Sequence, residues 1–338
     1  FNDGGSPGPT IGGADRNYLA AFDAERAVTE FNPNANDTVK TLAISADGNT
    51  IYAGGYFNDG GDPSVMTVGG AHRNYIAALR ATNGTATNWD PGATGGVNTL
   101  VLSALGDAIY VGGDFHGTQS IGGEDRDYIA AVSTASASAT TWEPQASAAV
   151  LALALTTDGG TIYVGGDFND GGDEMATTIG GARRNYIAAL QTGVDTNNAT
   201  AWVPWSDGTV SELALSADQA TLYAGGTFTM IGGEHRNSVA ALSTHASDSV
   251  RAATAWNPNP NSEVGAIAVG PSSVYIGGWF TNVNAHTCPR LAKFDRHGDW
   301  VADWCPSPDD QVKSLAVDSA SGTLYVGGSF SLLGDDSR

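Results

Sequence analysis

Apolar residues along this chain come in short blocks of strand length, bounded by Gly, Asp and Asn, and no stretch of ten residues keeps a helical period. Residues 150–156 (VLALALT) alternate large and small apolar side chains and then meet Asp158-Gly159, a turn signal. The block 161–168, TIYVGGDF, follows. A loop ending in Ile179-Gly180-Gly181 leads to 185–190 (NYIAAL), and a polar turn around Asn197-Asn198 leads to 200–203, closed by Pro204. β-branched and aromatic residues at alternating positions mark each block as a strand, and runs such as LALAL, apolar on both faces, predict strands packed between two layers. The pattern is all-β.

The block 161–168 recurs at 50–57 (TIYAGGYF), 108–115 (AIYVGGDF), 221–228 (TLYAGGTF), 273–280 (SVYIGGWF) and 323–330 (TLYVGGSF), and Phe1 repeats its last residue. From Phe1 through Phe57, Phe115, Phe168, Phe228, Phe280 and Phe330 the steps, taken as simple differences, are 56, 58, 53, 60, 52 and 50. A period of that size marks a repeat architecture, in which each unit buries its face only against its neighbours. An Ala-Ala pair recurs in the third block (Ala20-Ala21, Ala77-Ala78, Ala130-Ala131, Ala188-Ala189, Ala240-Ala241) and leaves room for close sheet packing. The fourth block carries Phe31, Trp89, Trp142, Trp202, Trp256 or Trp304, each followed two residues later by Pro.

Four strand-length blocks per unit predict four-stranded antiparallel blades of a β-propeller. The order of landmarks is similar to kelch repeats. It resembles more closely the delta-sixty repeat propellers of secreted and surface proteins, whose units read V-x-x-L-A, Y-V-G-G-x-F, I-G-G-x-x-R-N-x-I-A-x-L and W-x-P. The match runs through essentially the whole chain, and the resemblance implies one propeller domain over residues 1–338 with little said about activity. Residues 17–22 and 29–31 supply third and fourth blocks, while 312–317 and 323–330 supply first and second ones. One blade shared between the two ends would therefore close a ring of six and remove exposed sheet edges. Residues 330–338 repeat landmarks of 1–16, so a longer natural chain with seven blades is the alternative.

The net charge of −21, with Lys only at Lys40, Lys293 and Lys313, disfavours nucleic acid and anionic membrane surfaces as partners. It also suits saline surroundings, where counterions screen self-repulsion. No block is long enough to span a bilayer. Without an initiating Met or a leader-like segment, the chain reads as a mature or processed piece.

Six arginines recur once per unit: Arg16, Arg73, Arg126, Arg184, Arg236 and Arg290. A residue needed once per blade is expected to serve the blade, its five donors satisfying loop carbonyls or a neighbouring Asp; an anion-binding crown is the functional alternative. The Gly-Gly pairs end strands with no helix following, which excludes a phosphate loop. The aromatic-x-Pro positions read as packing between blades, with an exposed Trp ring as a sugar platform the alternative.

Other features break the repeat. Three loops carry Asn-Asp-Gly-Gly (2–5, 58–61 and 169–172), and two continue with another Asp, giving Asp59 with Asp62 and Asp170 with Asp173. Oxygen ligands on tight turns suit calcium, although the spacing is not that of an EF-hand and the same residues make an ordinary turn. His72 and His235 share a position held elsewhere by Asp15, Asp125 and Arg183, which describes a solvated loop. Cys288 and Cys305 flank a hairpin turn at 296–298, so a disulfide is expected and would suit an oxidising setting. Asn36, Asn83 and Asn198 stand in glycosylation sequons. No HExxH, GxSxG or Cys-x-x-Cys occurs, and the blade-specific acids Glu143, Glu174 and Glu212 have no evident partner.

These features point to an extracellular or cell-surface propeller without catalytic activity. Its expected partners are another copy of itself in an oligomer or filament, another surface protein, or an extracellular polysaccharide. A calcium-dependent adhesin or carbohydrate-binding propeller is one alternative, and a glycan-active hydrolase or lyase with a site at the central channel is another.

Overall fold

The computed structural model describes residues 11–62, 64–245, 249–334 and 336–337. The chain divides into two compact units: Phe1–Val150 with Thr157–Gly159 and Thr192–Asn197, and Leu151–Thr156 with Gly160–Gln191 and Asn198–Arg338. Among the described residues every regular element except one three-residue 3-10 turn, Ser249–Arg251, is a β-strand, so no helix is long and apolar enough to cross a membrane.

In the first unit, β1 (Val39–Ile44), β2 (Thr50–Gly55) and β3 (Ile76–Arg80) form one antiparallel sheet. β4 (Val97–Leu102), β5 (Ala108–Gly113) and β6 (Ile129–Ser133) form the next. Three more sheets of the same order lie in the second unit, except that Val150 belongs to the first: β7 (Val150–Leu155) with β8 (Thr161–Gly166) and β9 (Ile187–Gln191); β10 (Val210–Leu215) with β11 (Thr221–Gly226) and β14 (Val239–Ser243); and β15 (Val264–Val269) with β16 (Ser273–Gly278) and β19 (Leu291–Asp295). The two-residue pairs β12 (Met230–Ile231) with β13 (Glu234–His235), and β17 (Asn282–Val283) with β18 (His286–Thr287), cross the intervening loops. β20 (Val312–Val317) pairs with β21 (Leu324–Gly328), and β22 (Leu332–Leu333) with β23 (Asp336–Ser337).

The expected fourth strand is not a strand. It is reduced to single bridges, Leu79↔Ala86, Val132↔Ala139, Leu190↔Ala199, Leu242↔Ala253 and Phe294↔Trp300. The cause is local. The threonine hydroxyl two residues before the tryptophan accepts its N–H (Thr87 from Trp89, Thr254 from Trp256, both 3.2 Å), turning the backbone away from the sheet. The proline that follows has no N–H to give a ladder. Residues 17–22 and 29–31 likewise form only the bridge Phe22↔Val28.

The tryptophans act as pegs instead. Trp89 donates its indole N–H to the carbonyl of Ser133 (2.8 Å), at the end of the third strand of the following sheet. Trp202 does so to Ser243 (3.0 Å) and Trp256 to Asp295 (3.2 Å). Each also meets the tyrosine of its own sheet edge-on, as in Tyr52–Trp89 and Tyr223–Trp256, both 5.2 Å between centroids. Large fully buried rings complete the cores: Phe57 and Phe115 in the first unit, Phe168, Phe228 and Phe280 in the second. Tyr325, the last of the tyrosine series, is exposed.

The repeated Gly-Gly has two separate steric causes. A side chain on the first glycine would collide with the valine opening the next sheet: Val97 for Gly54, Val150 for Gly112 and Val312 for Gly277. A side chain on the second would collide with the carbonyl before its own sheet's first strand: Thr38 for Gly55, Gly96 for Gly113 and Glu263 for Gly278. Sheets with large apolar residues on both faces approach this closely only where one partner is bare.

Cys288 and Cys305 form a disulfide closing a loop 17 residues apart in sequence, with Cα atoms 5.6 Å apart. Between them β19 runs into a turn in which the Asp295 carboxylate accepts the N–H groups of His297, Gly298 and Asp299, each at 2.9 Å. A loop of this length makes the bridge worth about 3 kcal/mol. Cys288→Ala/Cys305→Ala is therefore expected to lower the unfolding free energy by that order in chemical denaturation, and reductant to do the same to the wild-type chain while leaving the double variant unchanged.

Candidate functional site

The arginines are stitched into the backbone of their own repeats. Nη1 donates to the carbonyl of the preceding residue (His72, Asp125, Arg183 and His235) at 2.7–2.8 Å. Nη2 donates to the carbonyl of the threonine two residues before the tryptophan of the fourth block (Thr87, Thr140, Thr200 and Thr254) at 2.5–2.8 Å. Arg16 makes the same pair of bonds with Asp15 and Thr29, and Arg290 reaches Pro308 at 3.0 Å. A hydroxyl six residues earlier closes each loop: Thr67, Ser120 and Thr178 accept the N–H of Arg73, Arg126 and Arg184 at 2.8–3.0 Å and donate to the same residue's carbonyl. Arg73 and Arg126 also lie 3.2 Å from Asp90 and 3.7 Å from Glu143. These guanidiniums bind the chain's own carbonyls and hold each long loop to its sheet.

The lengthened loops pair their first aspartate with a nitrogen-bearing side chain supplied by the same loop. The Asp59 carboxylate accepts from the Gly61 N–H (2.7 Å), the Asn74 amide (3.1 Å) and His72. Asp170 accepts from Gly172 (2.9 Å), Asn185 (3.0 Å) and Arg183 Nε (2.5 Å). Backbone N–H donation first, then the asparagine amide, holds both carboxyls below the usual carboxylate range. Asp62 and Asp173 cap separate turns, accepting from Ser64 and Met175 at 2.9 Å. A calcium shell needs six or more oxygens converging on one point. Here hydrogen-bond donors face the carboxylates, and among the described residues no group of three His, Cys, Asp or Glu could hold a metal. The residues fit self-paired turns and do not fit calcium. The Asn-Asp-Gly-Gly loop at 2–5 lies outside the described residues.

Three acids were singled out by their asymmetry. Glu143 accepts from Gln145 (2.8 Å) beside Arg126, and Glu174 is exposed on a loop. Glu212 lies in β10, where burial pushes its carboxyl up to about 8, opposed by the Ile267 N–H that donates to it from β15. Thr41 occupies the corresponding place in β1 and accepts the Leu100 N–H of β4 at 3.1 Å. Glu212 thus fills a slot that a neutral hydroxyl fills elsewhere, as a link between first strands of adjacent sheets.

Some polar features escaped the motif reading. In the first unit Lys40 Nζ donates to Asn98 (2.9 Å) and to the Tyr56 hydroxyl (3.2 Å), and the Asn98 amide donates to Asp114 (3.2 Å). Each position is variable between repeats, so only superposing repeats singles it out. The methionines offered a simpler signal. All three fall in the loop after a Gly-Gly-x-Phe block, and all are exposed: Met66 by 64%, Met175 by 88% and Met230 by 40%. Of the sequons, Asn36 and Asn83 are exposed, whereas Asn198 is buried and closed to a glycan.

Among solved structures, the β-propeller domain of Cps50 (Swd1) from Myceliophteria thermophila is similar, with a TM-score of 0.55 over 88% of this chain and 82% of that one at 9% identity. The fold is of the β-propeller type. At that identity the likeness concerns fold alone. No protein-family model and no curated protein sequence matches this chain.

Proposed function

We propose that this chain is a non-catalytic binding and assembly module that works outside the cell or at its surface. On this reading it belongs with the delta-sixty, kelch-like propellers it resembles in sequence. Its repeats make six blades, the last completed by the third- and fourth-block sequences of residues 17–22 and 29–31, and seven if the natural chain is longer. The observation that carries the proposal is the exposure of Met66, Met175 and Met230 on the loops after the second strands. Methionine is normally buried, and its unbranched, polarizable side chain suits adaptable contact with another protein. The loops that bear Met66 and Met175 are anchored by Asp59 and Asp170, so these side chains are presented from fixed turns. A disulfide accords with an oxidising compartment.

Light scattering with size-exclusion chromatography tests the proposal. The wild-type chain is expected to self-associate in a concentration-dependent way, and Met66→Glu/Met175→Glu to shift it toward monomer with an unchanged melting temperature. A chelator is expected to have no effect, and dissociation by chelator would restore a calcium-dependent adhesin. A wild-type chain that stays monomeric at high concentration would remove self-assembly as the role.

A further inference from the structure

Each fourth block ends in Pro followed by a residue whose backbone is left-handed. Five of these are Asn34, Gly92, Gln145, Asn259 and Ser307, with φ between 46° and 54°. The sixth is Trp205, at φ 39°. A bulky aromatic residue there strains the backbone, and strain of this kind persists where something else rewards it. Trp205 is half-buried. What it touches is charged: the Arg183 guanidinium lies 4.9 Å from its ring centroid.

The two anchored loops make an internal comparison. In the first, His72 pairs with Asp59 and the left-handed turn residue is Gly92. In the second, Arg183 pairs with Asp170 and the turn residue is Trp205. Both changes occur in the same copy and bring a stacked ring, a planar cation and a carboxylate together. Asp170 binds Arg183 through Nε, and the arginine side chain stays 34% exposed.

We propose that Trp205, Arg183 and Asp170 form a carbohydrate subsite that takes a neutral pyranose. The apolar C–H face of the sugar would lie on the face of the Trp205 ring turned away from Arg183, while Arg183, fixed by Asp170, backs the ring from the other side. A neutral glycan fits because Asp170 already compensates Arg183, and the chain's net charge of −21 opposes a polyanion. The proposal is independent of self-assembly, since neither side chain is one of the exposed methionines.

Trp205→Gly separates a platform from a packing residue, because glycine is what the turn prefers. Calorimetric titration with cellohexaose, maltohexaose and mannohexaose is expected to show binding of at least one by the full chain. Trp205→Gly should weaken that binding by about tenfold or more, and Trp205→Tyr should largely keep it. The melting temperature of Trp205→Gly should be unchanged or raised. Failure of all three sugars to bind at millimolar concentration, binding that survives Trp205→Gly, or a lowered melting temperature in that variant would each overturn the subsite.

Discussion

Gly278→Ala is expected to destabilise the second unit by about 3 kcal/mol or more, while Gly265→Ala, thirteen residues earlier in the same sheet, is expected to be nearly neutral. Both glycines lie at φ values open to any residue, so conformational freedom does not distinguish them. Space does. A methyl group on Gly278 would overlap the backbone carbonyl of Glu263 and approach Val264 Cα to 3.1 Å, whereas on Gly265 it would meet nothing nearer than a Glu263 carboxylate oxygen at 3.9 Å. A flexible side chain can swing aside, but this carbonyl cannot. It accepts the N–H of Trp279 at 3.0 Å, at the bulge where β15 and β16 slip register between Val264 and Ala266. Moving it would break that bond and the ladder beside it. Gly277→Ala should cost less than Gly278→Ala, because the obstacle there is the Val312 side chain, which has some room to adjust. Chemical denaturation of the three variants checks the order. A Gly278→Ala chain as stable as wild type would mean that the tight approach is not what selects the Gly-Gly pair.

The repeat made much of this fold readable. The blocks from Thr161 to Gly166 and their copies are strands where alternation places them, because β-branched and aromatic residues meet their packing partners once per unit. The fourth block misled for a physical reason: Thr-x-Trp-x-Pro has strand composition, but its hydroxyl and its proline act on the backbone, which periodicity does not register. The cysteine pairing followed from a turn between two flanking positions, which is local geometry. The aspartates show the opposite limit. Asp59 and Asp62 look like ligands in a row, yet the partner that occupies Asp59 is thirteen residues away at His72. That pairing depends on the path of a loop. Trp205 is hidden similarly, because it follows Pro204 and falls outside the recurring aromatic-x-Pro positions. Its distinguishing property is a backbone angle that its five counterparts meet with small or polar side chains.

Glu212→Gln is expected to raise stability at pH 9 while changing it little at pH 5. In the folded chain burial pushes the Glu212 carboxyl up to about 8, so folding favours the protonated acid. A group whose folded value lies above its unfolded one contributes stability that is complete below the unfolded value, near 4.5, and is lost as pH rises through about 8. No charge is available to offset ionisation: β8, β11 and β15, which pack against β10, carry no Lys, Arg, His, Asp or Glu. Their titratable groups are Tyr163 and Tyr223, and burial raises both above the ordinary tyrosine value, so neither ionises in this window. The full gap would correspond to about 5 kcal/mol, but Glu212 keeps partial access to water, which brings the expected loss to about 2 kcal/mol. Glutamine is neutral at every pH and still offers an oxygen to the Ile267 N–H, so its stability should stay flat where wild type declines. At the acid end the order reverses for the surface aspartates. Asp47, held at about 2 by the Ser45 hydroxyl and then the Asn49 N–H, loses its contribution as pH falls, and this happens equally in both chains. Wild type should therefore be most stable in mildly acidic solution, and Glu212→Gln should extend that plateau upward. Unfolding free energies measured by denaturant from pH 5 to 9 decide the matter, and parallel curves for the two chains would show that Glu212 is hydrated and ionised in the fold.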